Sequence, residues 1–370
     1  MNLLITGATG FIGRHLCACL TARNYTVVAL MRRPDDLPEL RARVDRLGGS
    51  GDLIQALPGD LSAPGLGISE SLPPVDAVIH LGARFAWQLT RKDVYMANVE
   101  GSLSVAELAR RLNCRLVFIS GFMLENLQHL NQLGIAPASP EQTNWQKVYR
   151  RAGAYEASKL EAALKVRLFA EQTSLDMVEV QPATVAGQSQ TGELDAAQPL
   201  YQLLDNLSRG RLALVPGTPE HWLPLTTVDH LAAVIAAAAI AQNVPERLLC
   251  LDPDTPTLQQ MLAMASGSLG IKAPRRFIPL PVLRAILSIP GVPKLVNTYP
   301  EALHFIQAKR FDTANTERFL ECQGLFRPNI ASAIEASVYW YQKQRISNAP
   351  APGPYAGHTS ATPPPHSNEG

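Results

Sequence analysis

Thr6-Gly7-Ala8-Thr9-Gly10-Phe11-Ile12-Gly13 follows a short apolar run, Leu3–Thr6, and opens a stretch, Ile12–Ala22, with apolar residues at helical spacing. Gly7 permits a tight turn after a strand, Gly10 lets the backbone approach a pyrophosphate, and Gly13 permits close packing of helix on strand. The helix start then offers unpaired N–H groups and the positive end of its dipole to phosphates. Strand, glycine turn and helix in this order predict a dinucleotide site built from Gly7, Thr9, Gly10, Phe11, Ile12 and Gly13. Glycines this dense also occur in plain turns, and it is the flanking patterns that favour the nucleotide.

Outward from this turn, compact apolar runs alternate with helical patterns. Strands are expected at Leu3–Thr6, Thr26–Leu30, Leu53–Leu57, Ala77–Leu81, Arg115–Ser120 and Met177–Gln181. Helices are expected at Ile12–Ala22, Asn98–Leu112 and Ala154–Gln172. The fold class is therefore α/β, a Rossmann-type doubly wound parallel sheet, with a smaller, mainly helical C-terminal substrate domain. Residues 1–186 are expected to form the dinucleotide domain, with 225–252 returning to it, and 187–224 plus 253–345 the substrate domain. Residues 347–370 hold six prolines and almost no large apolar side chains, so they are expected to be disordered.

The 370 residues are 46% hydrophobic, ample for a sizeable core, and the net charge of +1 argues against nucleic-acid partners or a general membrane-surface binder. The apolar run Leu231–Ala241 is too short to span a bilayer. No basic leader with a cleavage site is visible. Cys17, Cys19, Cys114, Cys250 and Cys322 are odd in number, scattered and without a Cys-x-x-Cys pair. Neither a disulfide framework nor a metal site is expected, and a cytoplasmic location fits.

The second strand ends Leu30-Met31-Arg32-Arg33-Pro34, with no acid until Asp35. An acid there would hold the ribose 2′-hydroxyl of NAD, whereas guanidinium matches the 2′-phosphate of NADP. Arg32 and Arg33 place NADP ahead of NAD; the alternative is that they are solvated loop charges. Tyr155-Glu156-Ala157-Ser158-Lys159 opens a helical pattern, so Tyr155 and Lys159 share a face. A nearby ammonium is expected to draw the phenol pKa down from about 10, letting Tyr155 exchange a proton at a carbonyl.

Together these motifs resemble the extended short-chain dehydrogenases/reductases, the NAD-dependent epimerase/dehydratase superfamily, over residues 2–345. Residues 6–13 match that family's glycine signature. The resemblance implies that Gly59-Asp60-Leu61 contacts adenine, that His80-Leu81-Gly82-Ala83 lines the cofactor, and that Asn98 braces the active site. It also places Pro182 and Val185, within Gln181-Pro182-Ala183-Thr184-Val185, near the nicotinamide, and identifies Thr227-Val228-Asp229-His230-Leu231 as the returning segment. It counts Tyr155 and Lys159 among both catalytic and cofactor-binding residues. The family's catalytic Ser or Thr falls on Gly121 in the best register, leaving Ser120 one residue early. Neighbouring strand residues face opposite ways, so either a bulge turns Ser120 inward or another donor or water polarises the substrate.

Phe122, Met123, Leu124, Trp145 and Tyr149, with Phe85 and Trp87, either wall an apolar substrate site or pack their own loop down. Such a wall suits a small apolar carbonyl compound and, by resemblance, the reductase and hydroxysteroid branch. The leading expectation is an NADP(H)-dependent oxidoreductase interconverting carbonyl and alcohol, with Tyr155 as acid/base, Lys159 tuning it and Ser120 polarising. The alternatives are a nucleotide-sugar epimerase/dehydratase with bound NAD, and a cofactor-binding scaffold or redox sensor with weak catalysis. The resemblance also allows a homodimer through the helices beginning near Asn98 and Ala154.

Overall fold

Leu3 and Ile5 point to one side of strand β1 (Asn2–Thr6) and Leu4 to the other, and all three are buried. Both faces of the strand therefore need covering. The computed structural model describes residues 1–69, 71–84 and 89–347. Phe85, Trp87 and the proline-rich stretch beyond 347 lie outside the described residues.

Parallel to β1 run β2 (Thr26–Met31), β3 (Ile54–Pro58), β4 (Ala77–His80), β5 (Arg115–Ile119), β6 (Met177–Pro182) and β7 (Arg247–Cys250). Their order is β7-β6-β5-β4-β1-β2-β3. Succession reverses between β1 and β4, where Thr6 pairs with His80, and ligands of open α/β sheets bind outside such a switch point. The six expected strands lie within about two residues of their predicted ends; β7 lies inside the expected returning segment.

Helix α1 (Phe11–Thr21) covers the Leu3/Ile5 face together with α4 (Val228–Ile240), through Leu16, Leu20, Leu231 and Ile235. The Leu4 face is covered by α2 (Gly101–Leu112) and α3 (Ala154–Thr173), through Val105, Leu108, Leu160 and Leu164. This is the doubly wound Rossmann arrangement. A turn of π-helix, Tyr95–Glu100, leads into α2 where the sequence pattern predicts plain helix from Asn98.

A third apolar cluster stands apart from the sheet, with Leu200, Leu204, Leu258, Met261, Ile334 and Tyr341 at its centre. Helices Pro199–Ser208, Leu258–Leu269 and Ile330–Ser347 supply it. Segment Ala314–Cys322 instead returns Phe319 and Leu320 to the α1 side of the sheet, and Thr316 Oγ1 accepts from Leu249 N at 2.8 Å. Among the described residues no helix is long and apolar enough to cross a membrane.

Candidate active site

The chain leaves β1 at Thr6 and must turn at once into α1. Gly7 has φ +77°, and a Cβ there would lie 2.8 Å from Gly82 N. At Gly13 a Cβ would lie 2.1 Å from Gly7 O, so only glycine lets the helix approach the turn. Gly10 caps α1 without a side-chain hydrogen bond, leaving the first-turn N–H groups for a ligand. Backbone this close to a groove, kept clear of Cβ atoms, fits a dinucleotide pyrophosphate.

Gly7, Gly10, Phe11, Ile12 and Gly13 line one cavity of about 250 Å³ together with Leu81, Ala83, Ser120, Tyr155, Lys159, Pro182 and Val185. The glycine turn and the Tyr/Lys pair thus meet in one space although nearly 150 residues separate them. Other expected residues sit around it. Gly82 packs behind the turn, its N–H donating to Thr6 Oγ1 at 3.0 Å, and Leu61 reaches the place a Gly82 Cβ would fill. Gly59 N donates to Met31 O at 3.0 Å, which sets Asp60 beside the end of β2; Asp60 Oδ1 accepts from Ser62 N at 2.8 Å. Thr9, Arg32 and Arg33 are exposed outside the cavity, and Arg33 pairs with Asp36 at 2.8 Å.

Asn98, expected both to brace the active site and to stand with the cofactor-binding residues, spends its amide on neighbouring groups. Its Oδ1 accepts from Arg84 N at 2.6 Å, and its Nδ2 donates to Arg84 O at 3.1 Å and Ser158 Oγ at 2.9 Å. Ser158 in turn donates to Tyr155 O at 2.8 Å, tying the β4 turn to the start of α3. On the other side Thr6 Oγ1 lies 2.7 Å from His80 Nδ1, His80 Nε2 lies 2.9 Å from Ser102 Oγ, and Ser102 donates to Asn98 O at 2.6 Å. Burial, helped by Lys159, drives the His80 pKa down to about 3, so the ring is neutral. Ser102 spends its one proton on Asn98 O and so accepts from His80 Nε2–H; Nδ1 of the neutral ring is then an acceptor for the Thr6 hydroxyl, and a single-direction chain joins β1, β4 and α2. A turn held this way keeps Leu81 and Ala83 at the cavity wall.

Ser120 and Gly121 both line the cavity. Ser120 is anchored by its N–H to Val180 O at 3.0 Å, while its buried Oγ has no hydrogen-bond partner among the described residues. A buried hydroxyl left in that state is able to donate to a group that enters the cavity. Gly121 is extended (φ 179°), and a Cβ there would touch nothing within 4 Å.

The expected lowering of the Tyr155 pKa is not found. Burial, and then the charge of Glu156, push the phenol up to about 12. Lys159 Nζ donates instead to Ile119 O at 2.6 Å. Burial lowers Lys159 itself to about 8, against a smaller raising influence of Glu179. A lysine whose folded pKa lies below its unfolded value, about 10.4, penalises the fold while charged. That penalty is full below about pH 8 and fades as pH rises from 8 toward 10. The stability of the wild type relative to Lys159→Met is therefore expected to increase between about pH 7 and pH 9.5. Urea unfolding of both proteins across that range measures it, and a flat difference would place the Lys159 pKa at its ordinary value.

Of the aromatic and apolar loop residues, Phe122, Met123 and Leu124 do wall the cavity. Trp145 and Tyr149 do not: Trp145 Nε1 donates to Pro140 O, and Tyr149 sits under Arg91 at 4.9 Å. Gln198, Pro199 and Phe305 complete the wall and were not signalled by sequence, because nothing local to them points at Tyr155. Phe305 and Pro199 also border a second, largely apolar cavity of about 240 Å³ running past Leu203, Leu223, Ile286 and Leu303.

A family model described as "Male sterility protein" matches residues 5–235, well over half of the chain. A putative dihydroflavonol 4-reductase of Synechocystis sp. is 26% identical over 366 residues, covering 91% of this chain and 94% of that protein. The PKS-NRPS hybrid synthetase cheA of Chaetomium globosum is 26% identical over 248 residues, covering 63% of this chain. The chain spans only 5%, 6% and 18% of the length of that and two further synthases it matches. Among solved structures, the terminal R domain of the myxalamid PKS-NRPS pathway superposes with a TM-score of 0.72 at 20% identity, covering 94% of this chain and 92% of that one. A UDP-glucuronic acid 4-epimerase from Bacillus cereus in complex with NAD superposes with a TM-score of 0.62 at 16% identity, covering 94% and 99%. With the glycine turn, the sheet order and the family match in agreement, the chain belongs to the male sterility protein family, within the extended short-chain dehydrogenase/reductase superfamily of NAD(P)-dependent oxidoreductases.

Proposed function

We propose that this chain interconverts a carbonyl and an alcohol on a substrate with an apolar body, using NADP(H). The observation that carries the reading is the single cavity in which the glycine turn, Ser120, Tyr155 and Lys159 meet. When bound, the dinucleotide supplies or takes up hydride. Reduction needs a proton donor that is still protonated at neutral pH, and a Tyr155 phenol raised to about 12 meets that need. Tyr155 donates its proton to the carbonyl oxygen, and the Ser120 hydroxyl, unpartnered among the described residues, donates a hydrogen bond to that same oxygen as negative charge develops. Lys159 stands four residues along the same helix face, where its ammonium would stabilise the phenolate left when Tyr155 gives up its proton.

The wall favours an apolar substrate over a nucleotide sugar. Phe122, Met123, Leu124 and Phe305 supply no charge for a diphosphate, and the adjoining 240 Å³ cavity lengthens the apolar path. Similarity to a putative dihydroflavonol reductase and to synthetase reductase regions points toward reduction as well.

A fluorescence titration with NADPH and NADH, followed by an NADPH-consumption assay on a panel of apolar ketones and aldehydes, tests the reading. Tighter binding of NADPH, weakened by Arg32→Ala at least about tenfold (about 1.4 kcal/mol) with NADH unchanged, is expected. Turnover of one member of the panel is the second expected result. Retained NAD, or a preference for NADH, would move the reaction to the epimerase/dehydratase type. Tight NADPH binding with no turnover would make the chain a cofactor-binding scaffold.

A further inference from the structure

Helix Leu127–Leu133, helix α3 and the 3-10 segment Pro300–Phe305 each send one side chain to a common point: His129, Glu156 and His304. Glu156 Oε1 lies 2.6 Å from His129 Nε2, and Oε2 lies 2.6 Å from His304 Nδ1. One ligand atom from each residue falls within 4.8 Å of the other two. The side chains are 12%, 7% and 6% exposed. The two rings stand 4.9 Å apart and tilted by 55°, so they converge on the carboxylate instead of stacking.

A carboxylate taken out of water needs its charge compensated. Among the described residues the ion-pair partners of Glu156 are these two histidines, and a cation held by all three would compensate the buried carboxylate. Two imidazole nitrogens and one carboxylate oxygen are the donor set of His₂Glu zinc sites, which leave a fourth position to water. Bonds of about 2.0–2.1 Å in tetrahedral geometry set ligand atoms roughly 3.4 Å apart. That spacing lies between the 2.6 Å contacts and the 4.8 Å outer limit, so small side-chain movements suffice. Magnesium and calcium prefer an all-oxygen set, which is not offered. His304 also borders an open cavity of about 790 Å³, a route for water and ion. Four arginines on that cavity oppose a cation's entry at low salt.

We propose that His129, Glu156 and His304 bind a divalent cation of the zinc class. The ion ties helix Leu127–Leu133 and the segment carrying Phe305 to the first turn of α3. Because Phe305 walls both the reaction cavity and its apolar extension, the ion holds that wall against the helix bearing Tyr155. The site stands independently of which reaction the chain catalyses.

The test uses the 370-residue, tag-free chain, stripped with chelator and dialysed, then titrated with Zn²⁺ by calorimetry and with Co²⁺ by absorption. Expected are about one equivalent of zinc and the visible bands of four-coordinate cobalt without a thiolate-to-metal charge-transfer band. His129→Gln and His304→Gln are each expected to weaken zinc binding at least about tenfold, while His221→Gln leaves it unchanged. Zinc should raise the melting temperature of the wild type and not that of the double variant. No zinc bound by the wild type, a cobalt spectrum with a thiolate band, or affinity indifferent to both substitutions would overturn the site. The wild-type titrations decide the matter even where a variant fails to fold.

Discussion

Tyr155→Phe is expected to lower kcat by about 10²–10⁴-fold while leaving NADPH affinity within about twofold of wild type. The substitution keeps the ring that lines the cavity and removes only the proton-bearing oxygen, so packing around α3 is preserved. Steady-state turnover with an apolar carbonyl, read beside a fluorescence titration of the cofactor, separates the two effects. Turnover within about threefold of wild type would remove Tyr155 from the chemistry. Ser120→Ala is expected to cost about 10²-fold in kcat, because its buried hydroxyl, without a hydrogen-bond partner among the described residues, is the donor proposed for the carbonyl oxygen. A smaller loss would give the polarising role to water or another donor.

Gly13→Val should abolish useful cofactor binding, with affinity for NADPH falling at least about 10²-fold (about 2.7 kcal/mol). Its Cβ would lie 2.1 Å from Gly7 O and 2.7 Å from the Ala8 Cα and O atoms, all of them backbone. The turn cannot retreat, because Gly7 is itself pressed against Gly82. Either α1 moves away from the pyrophosphate position or the turn opens, and both disperse the N–H groups that would hold phosphate. Overpacking should also lower stability by about 1–3 kcal/mol. Gly267→Ala, at a helical glycine with open space around it, is the matched control and should bind NADPH normally. Near-normal binding by Gly13→Val would mean that the cofactor is held elsewhere.

What could be read from residues alone was what local periodicity encodes. Leu3-Leu4-Ile5 announced a strand buried on both faces, the glycine spacing announced a turn into a helix, and Tyr155 and Lys159 announced a shared helix face. Each of these depends on neighbours within about five positions, and backbone geometry converts such spacing directly into direction. The same reasoning misjudged one feature that depends on surroundings. It lowered the Tyr155 pKa because it weighed Lys159 and could not weigh burial or Glu156.

The sequence by itself determined the sheet, the glycine turn and the pairing of Tyr155 with Lys159, since strand and helix periods are short-range properties of the chain. Tertiary structure alone decided that Ser120 lines the cavity with a hydroxyl unpartnered among the described residues, that Phe305 and Pro199 close its wall, and that His129, Glu156 and His304 converge. Those meetings join residues far apart along the chain, Gly7 and Phe305 among them. They arise where crossover connections bring separate segments to the end of the sheet, and no spacing along the chain records which segments will arrive there.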